Sequence, residues 1–156
     1  MPRTYEICFE NVLVSAPQDL ATVFGAAGKV FRVLRQWLSA VDTTLVTSQS
    51  VQLRARFLPA TLTNGSGGSV PTPRPPDPGD AAASLSAHTN DTTKTTTSGT
   101  ATILEENGCH LYQGYDKTFA RPPVIGPSEA FVFELLSTPS GTVHLSGGVE
   151  VEEMGG

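Results

Sequence analysis

Apolar and polar residues alternate along much of this chain, and the alternation predicts strands. Tyr5, Ile7 and Phe9, continued by Val12 and Val14, trade places with Glu6, Cys8 and Glu10. That period of two predicts a first strand, bulged near Asn11 where the phase breaks and ended by Ser15-Ala16-Pro17. Val51, Leu53, Ala55 and Phe57 set against Gln52, Arg54 and Arg56 make the clearest strand signal, ending near Pro59, with 60–63 reading as a resumed edge. Arg54 and Arg56 share a face that reads as solvated or engaged in rim ion pairs. Further strands are predicted at 100–104, closed by a turn at Glu105-Glu106-Asn107-Gly108, at 109–113 and at 114–119, followed by a rigid crossing loop at 121–127. The run 130–136, AFVFELL, is apolar on both faces and predicts a central strand covered on both sides. A last strand, 142–151, is expected to be interrupted by a bulge or bend at Gly147-Gly148, with Glu150 and Glu152 on one solvent-facing side.

Two stretches resist this pattern. Between Gln18 and Val41, the residues Leu20, Val23, Phe24, Ala27, Phe31, Leu34, Leu38 and Val41 fall at helical spacing, which fits an amphipathic helix. Gly25 and Gly28 oppose it, each costing about 1 kcal/mol inside a helix relative to Ala. The other reading divides the segment into a short strand at 20–24, a turn at 25–28 and a strand at 29–40 that hides Val30, Leu34 and Leu38 and shows Arg35 and Trp37. The second stretch begins with Asn64 to Asp80, where nine of seventeen residues are Gly or Pro. Its Gly-rich half is flexible and its Pro-rich half favours extended backbone. A tract at 89–102 with eight threonines follows; it buries too little apolar surface to order itself, and is either disordered or ordered by pairing with something else. The whole of 64–98 thus reads as a long arm inserted into one domain, and a loop of that length is functional or disordered.

Composition sharpens the picture modestly. At 156 residues the chain suits one domain, and its abundance of Thr, Ser, Gly and Pro favours β-structure and turns. A net charge of −5 with ten scattered basic residues gives no footprint for a phosphate backbone, so nucleic acid is not an expected partner. No run of eighteen apolar residues and no signal-peptide pattern occurs, so a soluble chain is expected, with no membrane partner. Cys8 and Cys109 allow one disulfide but read as free, partly buried thiols. Cys109 and His110 are neighbours on a strand and point apart, His88, His110 and His144 lack metal-ligand spacing, and the Gly-Ser-Gly-Gly run is not followed by the Lys-Ser/Thr of a phosphate loop. The expectation is a non-enzymatic protein without metal or cofactor.

The run GSGGSVPTPRPPDPGDAAA, the polar NDTT and SGTAT after it, and the tail PSEAFVFELLSTPSGTVHLSGGVEVEE together resemble small virion structural proteins of tailed bacteriophages, of the capsid decoration or cement type. The resemblance covers about the last two thirds of the chain and lies in order and composition. It implies an all-β fold, commonly trimeric, and favours strands over a helix for 18–41. The architecture expected is a jelly-roll-like β-sandwich of about eight strands, 1–156, carrying the Gly/Pro/Thr-rich arm. The implied role is decoration of the outer capsid surface of the virion after synthesis in the host cytoplasm, with the major capsid protein and further copies of the chain, as a homotrimer, for partners. Arms suit that role because they add main-chain hydrogen bonds across subunits. The arm residues expected to make such contacts are Asn64, Ser69, Pro71, Pro73, Arg74, Pro75, Pro76 and Asp77, with Thr92, Thr93 and Lys94 beyond. The competing reading is a carbohydrate- or receptor-binding sandwich of a tail or head fibre, with Trp37, Tyr112 and Tyr115 as stacking aromatics.

Overall fold

Among residues 2–42 and 48–154, which the computed structural model describes, every regular element is a strand. In chain order these are β1 (Arg3–Val14), β2 (Gln18–Phe24), β3 (Val30–Ala40), β4 (Ser50–Leu58), β5 (Leu62–Thr63), β6 (Ser86–Asp91), β7 (Thr96–Thr97), β8 (Thr102–His110), β9 (Tyr115–Thr118), β10 (Val124–Ile125), β11 (Ala130–Leu135) and β12 (Val143–Met154). The Thr- and Ser-rich connection after Asp42 falls mainly on 43–47, outside the described residues.

Pairing is antiparallel throughout and nested. β1 pairs with β12, β2 with β11, β3 with β9 and β4 with β8, so the first strand meets the last and each later pair sits inside the one before. Contacts of β12 with β3 and of β11 with β4 gather these eight strands into two sheets. One runs β1-β12-β3 with β9 and β10 both on the far edge of β3; the other runs β6-β2-β11-β4-β8. The result is a β-sandwich.

Period-two patterning explains the core between the sheets. Tyr5, Ile7, Phe31, Val33, Val149 and Val151 of the first sheet face Val51, Leu53, Ala55, Phe131, Phe133 and Leu135 of the second, all nearly or fully buried. Each large side chain of this set contributes about 1.5–3 kcal/mol by leaving water. The second sheet is also covered on its other side. There Phe24, Leu58, Ala130 and Val132 form a smaller apolar cluster under Leu62 and Ala101, and the contacts of Asp19 and Glu134 with Arg54, Arg56, Lys94 and Thr95 continue the cover, so that β2 and β11 are buried along their whole length.

The segment 18–41 is two strands, not a helix. Gln18–Phe24 and Val30–Ala40 lie in different sheets, and the turn between them holds Gly28 at a φ of 70°. The buried face of β3 differs from expectation, however. Its register against β12 shifts between Glu150 and Val151, leaving Leu34 as an extra residue, so Phe31 and Val33 point inward before the bulge and Gln36 and Leu38 after it. Val30 and Leu34 are only partly covered. A bulge exchanges the two faces, and no strict alternation can foresee it. The bulge expected at Asn11 is present: two residues of β1 oppose Ser146, Asn11 has a φ of 51°, and its N–H donates to Ser146 Oγ at 2.9 Å.

Two expected breaks are absent. Asn107-Gly108 makes no turn; β8 runs straight through it, paired with Leu53 and Gln52, because the neighbouring strand supplies a ladder that overrides local turn preference. Gly147-Gly148 does not interrupt β12 either. A Cβ on Gly147 would stand 2.4 Å from the Trp37 carbonyl oxygen and 3.0 Å from Phe9 Cζ, so glycine there serves close strand and ring packing inside a continuous strand.

Candidate binding groove and its strap

The arm docks along the chain's own body. Ser66 exchanges both main-chain hydrogen bonds with Thr93, Ser69 with Thr89 and Arg74 with Glu6, at 2.8–3.0 Å. The first two contacts lie beside β6, the edge of the second sheet, and the third lies on β1, the edge of the first. Residues 66–74 are therefore a strap from one sheet to the other. Beyond it Asp77 Oδ1 caps the Gly79 N–H at 2.9 Å, and Tyr5 donates its hydroxyl to the Ala81 carbonyl at 3.0 Å. The threonine tract is ordered by this pairing and by the short ladder of β5 with β7.

Pro71 and Pro73 carry no N–H, so the strap has no main-chain donor to offer at those two positions.

Between strap and β1 the contact is incomplete. Two adjoining hollows of about 400 and 380 Å³ open there, the smaller between Glu6–Glu10 and Pro71–Arg74, the larger continuing past Leu13, Gly67, Ser69, Asn90 and Thr92. Cys8, two residues from Glu6, presents its main chain on the same side as Glu6, but the strap makes no main-chain bond to it. Glu6, Glu10 and Arg74 make no ion pair or side-chain hydrogen bond among the described residues. Leu13, in the lining of the larger hollow, stands 55% exposed. At the groove wall Asn90 holds a φ of 58° and accepts from Gln18 Nε2 at 3.0 Å, while its buried Nδ2 has no partner.

The expected arm contacts separate into three groups. Ser69, Pro71, Arg74 and Thr92 line the groove, with Pro73 buried beside it. Asn64, Pro76, Asp77 and Thr93 are exposed and Pro75 half-buried, away from the hollows. Lys94 belongs elsewhere, in a cluster of charges over the outer face of the second sheet.

That cluster decides between the two expectations for Arg54 and Arg56: both are engaged in ion pairs, and except for Arg54 with the exposed Glu106 these lie under cover and not at the rim. Glu134, fully buried, receives Arg54 Nε, lies 3.0 Å from Arg56 Nε, and accepts from Lys94 Nζ at 2.9 Å. Asp19, also buried, accepts the Thr95 N–H at 2.7 Å and lies 3.5 Å from Arg56 Nη2. The arm's return at Lys94 and Thr95 thus closes over an ionic network. Glu134 carried a legible signal: a carboxylate inside a doubly covered strand must find cations, and Arg54 and Arg56 were the available pair.

Burial raises the Asp19 carboxyl to about 6, against the downward pull of the Thr95 N–H and Arg56. The folded state therefore holds this proton more tightly than the unfolded chain. The penalty for charging Asp19 is absent below about 3.8, grows as pH rises and is complete above about 6, on the order of 3 kcal/mol. Asp19→Asn, which keeps an oxygen for Thr95, should gain stability relative to the native chain between about pH 4 and about pH 7. Urea midpoints at both ends check this; a pH-independent difference refutes it.

The three aromatics of the carbohydrate-binding reading do not converge. Trp37 lies on the outer face of the first sheet with Arg35 5.1 Å from its ring centre, Tyr112 is exposed near His110, and Tyr115 points inward. Tyr115 stacks on Phe133 and bonds Gln36 and Glu105, and burial pushes its phenol up to about 12. Both cysteines are free, Cys8 exposed and Cys109 half-buried. Among the described residues no group of three His, Cys, Asp or Glu side chains is placed to hold a metal ion. No protein-family model, curated protein or solved structure matches this chain.

Proposed function

We propose that this chain is a non-enzymatic capsid decoration protein of a tailed phage: a jelly-roll sandwich that sits as a homotrimer on the outer capsid lattice and clamps neighbouring copies of the major capsid protein. The observation that carries the reading is the nested pairing of first strand with last through eight strands. That is the order produced by two Greek keys wound together, an architecture common in capsid and lectin domains. The resemblance of the arm and tail to virion structural proteins supports it, and so does the anchoring of the arm at both sheets, since a clamp must resist deformation. Self-association has a candidate surface in β8. This strand is an edge of the second sheet and carries Ile103 and Leu104 exposed, and a long edge with apolar side chains invites a partner.

Light scattering on the purified chain is expected to give three times the monomer mass, and mixing with undecorated capsids is expected to show saturable binding. Ile103→Asp should lower the assembly state without unfolding the sandwich. A monomer with no affinity for capsids overturns the proposal.

A further inference from the structure

We infer that the groove between β1 and the strap is a docking site for an extended segment of another polypeptide, which enters as an added strand and carries a basic residue opposite Glu10. Under the capsid reading, on which the identity of the partner rests, the segment is an arm of a head protein.

Three features of the groove select this occupant. The first is the interrupted ladder: Arg74 and Glu6 exchange both main-chain bonds, and at Cys8 the edge continues without a partner from the strap. An exposed edge of this kind is satisfied by main chain, and an extended peptide supplies it. The second is space, since hollows of about 400 and 380 Å³ lie directly beside Cys8, Phe9 and Glu10, within the range of sites that hold ligands. The third is charge. Glu6 and Glu10 project from β1 with no ion pair among the described residues; the charge of Glu6 acts on Arg35 of β3, and Arg74 lines the same hollow from the strap, so Glu10 has the less compensated charge. Opposite charges directly across two strands stabilise the pair, so the incoming strand should place Lys or Arg beside Glu10, where the wall is acidic. The exposed Leu13, which lines the larger hollow, gives such a segment apolar surface to cover.

The test uses the full chain and two probes: overlapping short peptides covering the head proteins of tailed phages, and an unbiased library of displayed short peptides. Binders are expected to be extended and to carry Lys or Arg, and to slow amide exchange at Cys8. Cys8→Pro removes an edge N–H while the Ile7 and Phe9 pairings to β12 remain, and should weaken binding about tenfold. Glu10→Lys, a surface change that leaves the fold alone, should reverse the charge preference. Head-protein peptides behaving this way support both readings. Library peptides behaving this way while head-protein peptides do not bind support the groove and tell against the capsid partner. No binder in either probe set, binding only of a second copy of the chain, or binding unchanged in both variants overturns the inference.

Discussion

Glu134→Ala is expected to destabilise the protein by about 3–5 kcal/mol, the range for removing one member of a buried ionic network. Glu134 is fully buried on β11, and its carboxylate is the shared partner of Arg54, Arg56 and Lys94. Losing it leaves Arg56, whose side chain is 13% exposed, with Asp19 at 3.5 Å and the Thr95 carbonyl at 3.4 Å as its remaining partners. Two comparisons separate this from a simple loss of volume. Lys94→Ala, at a side chain 32% exposed, should cost less than about 1 kcal/mol. Replacing Glu134, Arg54 and Arg56 together by Leu or Met, with Asp19→Asn so that no carboxylate is left facing the lost Arg56, should recover much of the loss, since a buried network exchanged for neutral side chains of similar volume is often neutral. Denaturant unfolding of the three variants measures this. If the combined variant is less stable than Glu134→Ala alone, the ionic account fails.

Gly68→Ala should loosen the strap, with a loss of about 1–3 kcal/mol. A Cβ at Gly68 would stand 2.0 Å from the Thr89 carbonyl oxygen and 2.5 Å from the Asn90 carbonyl carbon. Both are backbone atoms at the edge of the sheet, so no side-chain rotation relieves the overlap and the strap must lift. Limited proteolysis should then cut within 66–80 while the core strands stay protected, because Tyr5, Phe131 and Phe133 pack independently of Gly68. A protection pattern identical to that of the native chain refutes the strap's attachment at this point.

Much of the fold was legible because period-two patterning is local and the core reads it directly. Tyr5, Ile7 and Phe9, or Val51, Leu53 and Ala55, point inward because a strand with one apolar side has one way to bury it. AFVFELL declared a strand covered on both faces, and it lies between the main core and the flap of Leu62 and Ala101. Where the reading failed, a neighbouring strand had overruled local preference. Leu34 is squeezed out by the register of β12, and Asn107-Gly108 is held straight by β4.

The groove was legible only in part. Proline and glycine marked 64–80 as special, and the chain's own edges at β1 and β6 turned out to be its first contacts. Nothing local to Glu6 or Cys8 tells that Arg74 will return to one and leave the other open, because that gap depends on where two distant segments meet.

The amino-acid sequence by itself determined the all-β class, the positions of the main strands, the bulge at Asn11 and the distinct character of the arm, since each follows from the alternation, size and backbone freedom of adjacent residues. Only the tertiary structure decided that the arm folds back as a strap, that Arg54 and Arg56 meet Glu134 under cover, and that β1 keeps an unpaired edge at Cys8. Those outcomes depend on long-range pairing and on the cost of burying charge, and both are fixed by which segments become neighbours.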